Sequence, residues 1–417
     1  MLKRTIIAVF ILITSVALGQ GGTTSPYSFY GIGIQKFKGT AENRTMAGIS
    51  VFSDSIHVGL QNPAGLADLR LVNYSVGASH KYQTQKSSFE SQQSTATSLD
   101  YIAIGIPMGK LVGSFGLLPY SAVGYDLQSE EGNTITQSSG NGGVNRAFIS
   151  FAYKLTSKLN LGVESNYNFG SIENDVFSKQ EDLELGSRVI NRSEFRGFTF
   201  NFGASYKTMV SKKLELSTLA SYSPGTNVKS DNTRISSTIA VLPSGFLAEA
   251  QSIEFEDPDS DFIFPSQFTI GAGIGAPKRW SLGLEYTGQK TSNFKNRHIE
   301  LDSSLDNVEF VDVVKIKIGG FFIPNYNAIG TYWKRISYRA GFHFENTGLN
   351  IEGQDINEFG ISFGVGLPTG KLFSNVNIGF EVGKRGTTNF GLIQENFLNT
   401  FLSLSLNDKW FEKRYYD

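Results

Sequence analysis

Ile356-Asn357-Glu358-Phe359-Gly360-Ile361-Ser362-Phe363-Gly364-Val365-Gly366-Leu367 is the stretch that decides the fold. Phe359, Ile361, Phe363, Val365 and Leu367 alternate with Gly360, Ser362, Gly364 and Gly366. A strand with this period has one face oily enough for lipid, while the other carries nothing larger than a hydroxyl. That suits a barrel wall pressed against something inside it.

The pattern recurs. Val72, Tyr74, Val76 and Ala78 oppose Asn73, Ser75, Gly77 and Ser79; Phe198, Phe200, Phe202 and Ala204 oppose Thr199, Asn201, Gly203 and Ser205; Trp280, Leu282, Leu284 and Tyr286 oppose Ser281, Gly283, Glu285 and Thr287. Stretches of this kind begin near residues 69, 96, 110, 142, 158, 192, 211, 265, 279, 308, 333, 355, 373 and 394. Fourteen is an even number, so both barrel ends fall on one side. The expected fold is an all-β, transmembrane antiparallel β-barrel of about 14 strands.

Composition agrees. Of 417 residues, 18% are charged and 13% aromatic, with 45 Gly and 33 Phe. Charge is therefore low, and the excess lies in aromatics and glycine. Mean hydropathy is only −0.15, and beyond the N-terminus no apolar run approaches the ~18 residues of a membrane helix. A bilayer protein with weak hydropathy is a barrel, because only alternate residues face lipid. The net charge of −1 gives no basic field, so nucleic acid is not an expected partner. The absence of cysteine argues against disulfides and thiolate metal sites.

Lys3 and Arg4 precede an apolar core from Ile6 to Leu18, with Ala17-Leu18-Gly19 before Gln20. We read 1–19 as a signal peptide, 20–68 as a compact irregular segment holding the turn Asn62-Pro63-Ala64-Gly65-Leu66, and 69–417 as the barrel. Connections alternate in kind: short near 109–110, 156–158, 210–213, 277–279 and 368–371, long at 84–95, 171–191, 225–264, 291–306 and 384–393. Short turns are periplasmic and long loops extracellular. Trp280, Trp333 and Trp410 fall beside the short turns, as an interfacial belt requires. The acidic runs Glu181 to Glu184 and Glu254 to Asp261 fall in long loops, where the second is a solvated loop or a site for divalent ions or lipopolysaccharide.

Catalysis and metal find little support. His57, His80, His298 and His343 are scattered, none at ligand spacing, and Gly271 to Gly275 alternates inside a strand rather than opening a helix. No serine stands in a nucleophile elbow. We expect no enzyme, no metal and no cofactor. His343 is expected to point inward beside Arg339 and Glu345, and with Glu285 to form a polar lumen network. Glu164, Glu215, Lys315, Lys317 and Glu381 share that inward parity. One irregularity stands out: Pro119 interrupts the third strand, Gly113 to Tyr125, where a closed barrel offers no free edge. Either a bulge or a gap in the wall follows.

Ser25-Pro26-Tyr27-Ser28-Phe29-Tyr30-Gly31-Ile32-Gly33, Leu118-Pro119-Tyr120-Ser121-Ala122-Val123-Gly124-Tyr125 and Asn407-Asp408-Lys409-Trp410-Phe411, in this order, carry a resemblance. With the signal peptide and fourteen strands, the mature chain resembles the FadL-like outer-membrane transporters of long-chain fatty acids and aromatic hydrocarbons. The resemblance implies that the N-terminal segment is a hatch, with Asn62, Pro63, Ala64 and Gly65 in it, and that Pro119, Tyr120, Ser121 and Gly124 form a kink with a lateral opening. The implied function is passive uptake of a hydrophobic small molecule into the outer leaflet, beside outer-membrane lipid and lipopolysaccharide. The inward charges are more polar than a greasy tunnel requires. The alternative is a barrel that does not transport but binds a protein partner at its extracellular loops, as a related fourteen-strand shuttle subunit of type IX secretion does.

Overall fold

The computed structural model describes residues 22–241, 247–294, 307–369 and 374–408. The expected signal peptide, Trp410 and residues 295–306 of an expected loop lie outside the described residues. The described residues open with a 3-10 turn at Pro26–Phe29, followed by β1 (Ile34–Gln35) and a one-turn helix, α1 (Ala41–Arg44). A 3-10 turn at Pro63–Asp68 follows, its first amide satisfied by the Asn62 side chain. The wall then comprises β2 (Val72–Lys86), β3 (Ser91–Met108), β4 (Leu111–Glu131), β5 (Thr134–Lys154), β6 (Leu159–Gln180) and β7 (Leu185–Met209). It continues through β8 (Glu215–Ser223), β9 (Thr226–Val241), β10 (Leu247–Phe264), β11 (Gln267–Ala276) and β12 (Trp280–Gln289). It ends with β13 (Val308–Phe310), β14 (Val313–Phe322), β15 (Ser337–Ile351), β16 (Gln354–Thr369), β17 (Ser374–Arg385) and β18 (Gln394–Asp408).

Three wall strands are interrupted and count once each. Pro224 separates β8 from β9, both laddered on β7, and Pro265 separates β10 from β11, because proline supplies no ladder donor. β13 and β14 both ladder on β15. The wall thus has fourteen antiparallel strands, and β18 pairs with β2 from Gln394↔Lys86 to Asp408↔Val72 to close it.

The deciding stretch is β16, and its parity is the one read from sequence. Phe359, Ile361 and Phe363 are 41%, 40% and 54% exposed, while Ser362 is 0% exposed. Other strands repeat this, with Phe198, Phe200 and Phe202, or Leu282 and Leu284, bare on the outside. A soluble surface does not tolerate so continuous an apolar band; a barrel in lipid needs one. The inner face meets residues 22–70. A Cβ on Gly162 would collide with the backbone of Pro63 and Ala64, and one on Gly364 or Gly379 with Thr45. Small inward residues let this segment approach the wall.

The long connections differ from expectation. Residues 171–191 are the upper part of strand pair β6/β7, residues 226–241 and 247–264 are β9 and β10, and Glu254 to Asp261 lies within β10. A ladder does not stop where lipid stops, but above the membrane both faces turn polar, so hydrophobic alternation vanishes although the strand continues. β4, β5, β6 and β7 run for 21, 21, 22 and 25 residues, against about 9–11 needed to cross.

Candidate functional site

Within the barrel, several apolar packing zones fix the N-terminal segment, one of them Met46, Ile49 and Val51 against Leu219. Toward the short-turn end, Val58, Leu60, Leu66 and Leu69 cluster with Tyr101, Val112, Leu118 and Phe148. Toward the long-strand end, Ile32 and Phe29 join Val123, Tyr125, Val144, Ile172, Phe195, Val228 and Phe264, while Tyr27 packs on Leu349, Ile351 and Ile356. Between these apolar zones lies a polar middle.

There, charged side chains link strand to strand. Ser25 Oγ donates to Glu395, which lies 3.4 Å from Arg385. Arg385 also grips Glu358. His343 stands between Glu358 and Glu381, 3.5 Å from each. Arg44 of α1 then reaches Glu381 at 3.4 Å and Asp100 at 3.5 Å. This chain of contacts begins and ends on the N-terminal segment, holding it at Ser25 and Arg44. Elsewhere Lys38 pairs with Glu164, and Lys207 with Asp68 at 2.6 Å. Glu285 accepts from Ser50 N at 2.8 Å, Ser50 Oγ at 3.0 Å and Lys317 at 3.0 Å.

The four residues expected to share one network are distributed over separate contacts. Glu285 binds Lys317; Glu345 binds Lys315 at 2.8 Å; Arg339 donates to Asn377 at 2.8 Å; His343 serves Glu358 and Glu381. Sequence reasoning missed Ser25, Arg44, Glu358, Arg385 and Glu395. Parity finds the wall members, since Arg385 shares a face with Glu381, and Glu395 with Asn399; Ser25 and Arg44 lie on irregular backbone with no period to read.

At the other expected site, β3 and β4 pair from Met108↔Leu111 only as far as Ile102↔Leu117. β4 then continues through Pro119, with a register shift against β5 between Pro119 and Ser121. Pro119 thus sits just where β3 has left and no donor is required of it. β1 takes the vacated edge: Ile34 pairs with Ala122, Gln35 with Ser121, and Lys36 N donates to Tyr120 O at 2.9 Å. Ser28 Oγ meets Gly124 N at 3.0 Å. Of the turn residues, Asn62 reaches Ala204 O at 3.4 Å, and Pro63, Ala64 and Gly65 are buried against the wall.

A cavity of about 370 Å³ lies in the polar middle and touches Ala96, Ser98 and Asp100 of β3 as well as Leu118, Pro119 and Tyr120 of β4. Its lining includes eight Lys or Arg side chains and five Asp or Glu side chains. Burial pushes the Lys36 ammonium down to about 8; Asp100 opposes this, while Arg44, Lys81 and Arg385 add repulsion. Burial also disfavours charge on His57, but Asp54 at 2.6 Å and Glu42 at 3.3 Å outweigh it and raise its pKa. Among the described residues no group of three His, Asp or Glu could hold a metal ion. The arrangement fastens a segment inside a wall.

Solved structures share this architecture. The P. putida toluene transporter TodX superposes with a TM-score of 0.62 at 16% identity, covering 90% of this chain and 100% of that one. The CymD monoaromatic hydrocarbon channel gives 0.59 at 13%, covering 90% and 99%, and a Pseudomonas aeruginosa FadL homologue gives 0.58 at 10%, covering 91% and 100%. At such identities the likeness establishes the barrel fold, that of FadL-like outer-membrane channels. No curated protein matches the sequence. Membership of a sequence family is settled separately, because residues 1–417 match the BamG family model along their whole length, and the chain belongs to the BamG family.

Proposed function

We propose that this protein is an outer-membrane barrel closed by its own N-terminal segment, which acts as a seated hatch, and that it works by holding a protein partner on the extracellular side. The observation carrying this is strand length. β4, β5, β6 and β7 are 21 to 25 residues long, and the wall strands split at Pro224 and Pro265 run Glu215–Val241 and Leu247–Ala276, whereas β12 and β14 have 10 each. The long strands are consecutive neighbours, so they raise one side of the barrel as a sheet above the bilayer, where only a soluble partner can meet it. The lumen fits the same reading: an apolar solute gains ~0.8 kcal/mol per CH₂ only in an apolar surrounding, and in this cavity thirteen charged side chains are interspersed with apolar ones such as Tyr30, Phe294, Phe310 and Phe397. Affinity purification of the tagged chain from solubilised outer membrane should yield a stoichiometric protein partner, lost when the 226–264 hairpin is shortened. Recovery of the barrel alone would refute the reading.

The parting of β3 and β4 favours a second reading, passage of a hydrophobic compound such as a fatty acid or aromatic hydrocarbon through a lateral opening at Pro119. The chain has no cysteine, and a Cβ on Gly22 would stand 2.9 Å from that of Ala122, close enough for a disulfide after slight adjustment. The pair G22C/A122C would lock the segment across the gap. Loss of labelled fatty-acid uptake on oxidation, restored by reductant, supports passage; unchanged uptake rejects it.

A further inference from the structure

Apart from the charged lumen and the gap beside Pro119, one feature of the fold has no counterpart in the barrel wall. β10 ladders with β9 from Phe264↔Thr226 up to Leu247↔Val241, and β11 takes up pairing with β12 only from Gln267 onward. Among the described residues no strand is registered against the other edge of β10. All seven residues from Glu249 to Phe255 are exposed, whereas their partners on β9 are half-buried or buried. Phe255 and Phe264 are nine positions apart, so the bare stretch begins about 30 Å along the strand from the last buried phenylalanine.

Its chemistry is one-sided. From Leu247 to Phe264 the sequence holds six carboxylates, Glu249, Glu254, Glu256, Asp257, Asp259 and Asp261, and no lysine or arginine. Ile253 and Phe255 are 48% and 50% exposed. Their ladder partners Ser236 and Arg234 share parity with Val228, the inward-facing partner of Phe262, so both apolar side chains lie on the lumen-side face of the raised sheet. A bare strand edge offers a row of backbone donors and acceptors, and proteins commonly protect such edges with charge. Charge of a single sign protects against like strands while selecting an opposite one.

We infer that residues 249–255 of β10 accept an added β-strand from a protein partner, an extended segment in which lysine or arginine alternates with apolar residues. Main-chain hydrogen bonds to the edge hold it, its cations meet Glu249 and Glu254, and its apolar side chains cover Ile253 and Phe255. This rests on the docking function proposed above and names the site and the chemistry of what docks.

The test uses the full chain in lipid nanodiscs with two synthetic peptides, one alternating lysine with valine and one alternating glutamate with valine. The lysine peptide should slow amide exchange at 249–255, the glutamate peptide should not, and E249K/E254K should exchange these preferences. Both substituted residues are exposed, so the barrel folds as before. Raising salt should weaken the lysine peptide's binding about tenfold. Equal protection by both peptides, or binding without new protection at 249–255, overturns the inference. In membranes, a co-purifying partner that E249K/E254K retains in full refutes this site while leaving the docking function standing; absence of any partner refutes the docking function itself, and strand addition by the lysine peptide then still decides the edge.

Discussion

Replacing Glu285 by alanine tests how the N-terminal segment is held. Glu285 is 1% exposed and is the shared acceptor for Ser50 N, Ser50 Oγ and Lys317 Nζ, all within 3.0 Å. Without it, Lys317 keeps, among the described residues, Gly48 O at 3.1 Å. Breaking one side of a buried pair costs about 3–5 kcal/mol, because the surviving ion is left desolvated. That penalty is relieved if residues near Ser50 leave the wall and water reaches the ammonium. The change is therefore predicted to be local, a rise of roughly 10²- to 10⁴-fold in amide exchange at Ser50, with β12 unaffected. E285A/K317M removes both charges and should recover most of the protection. Hydrogen exchange by mass spectrometry, with planar-bilayer conductance as a second readout, checks this. Unchanged exchange at Ser50 in E285A, or a double variant as loose as the single one, would refute the reasoning.

Gly162→Val places atoms where Pro63 and Ala64 now lie, and overpacking of this kind costs about 1–3 kcal/mol; exchange at 62–68 should rise while β6 stays protected. The raised pKa of His57 means that its charged form is stabilised by Asp54 and Glu42 in the folded protein. That contribution is complete below ~pH 6.5, the ordinary histidine value, and disappears as pH climbs through the raised one. Limited proteolysis of the 50–60 stretch should accordingly accelerate on the alkaline side in the parent and lose that dependence in His57→Gln; identical profiles would discount the contact.

The wall was legible because lipid imposes a period on it. Each of the fourteen expected starts falls within a few residues of the start of a wall strand, except at β5, β7 and the β10/β11 strand, which begin earlier, at Thr134, Leu185 and Leu247. Those exceptions have one cause. Residues such as Glu173, Asp175, Arg188 and Arg192 stand above the bilayer and pair with each other across strands, so polarity marks both faces and the sequence looks like loop. The lumen was legible by parity only on the wall side. Inward Glu285 and Glu381 follow from alternation with Leu284 and Phe380, but which partner each takes depends on irregular backbone between residues 22 and 70. Arg44 meeting Asp100 and Glu381, far apart in sequence, has no local signature.

The departure of β3 from β4 constrains how freely the N-terminal segment can move. Backbone groups at membrane depth must be satisfied internally, since lipid offers no partner and each orphan costs several kcal/mol. Beyond Leu117 the edge of β4 has lost β3, and Pro119 removes only one donor from the demand. The remaining groups are met by the N-terminal segment: Tyr120 O by Lys36 N, Ala122 and Ser121 by Ile34 and Gln35, and Gly124 N and O by Ser28 Oγ. Gly124 has no room for a side chain because Thr23 O already occupies the position. The segment is thus a piece of the wall as well as filling for the lumen. Withdrawing it exposes an unpaired edge in a low-dielectric setting, so displacement requires a substitute: β3 closing onto β4, or another strand in place of β1. A diffusing apolar solute supplies neither hydrogen-bond donors nor acceptors, which is why the parting of β3 from β4 argues for a segment that stays seated.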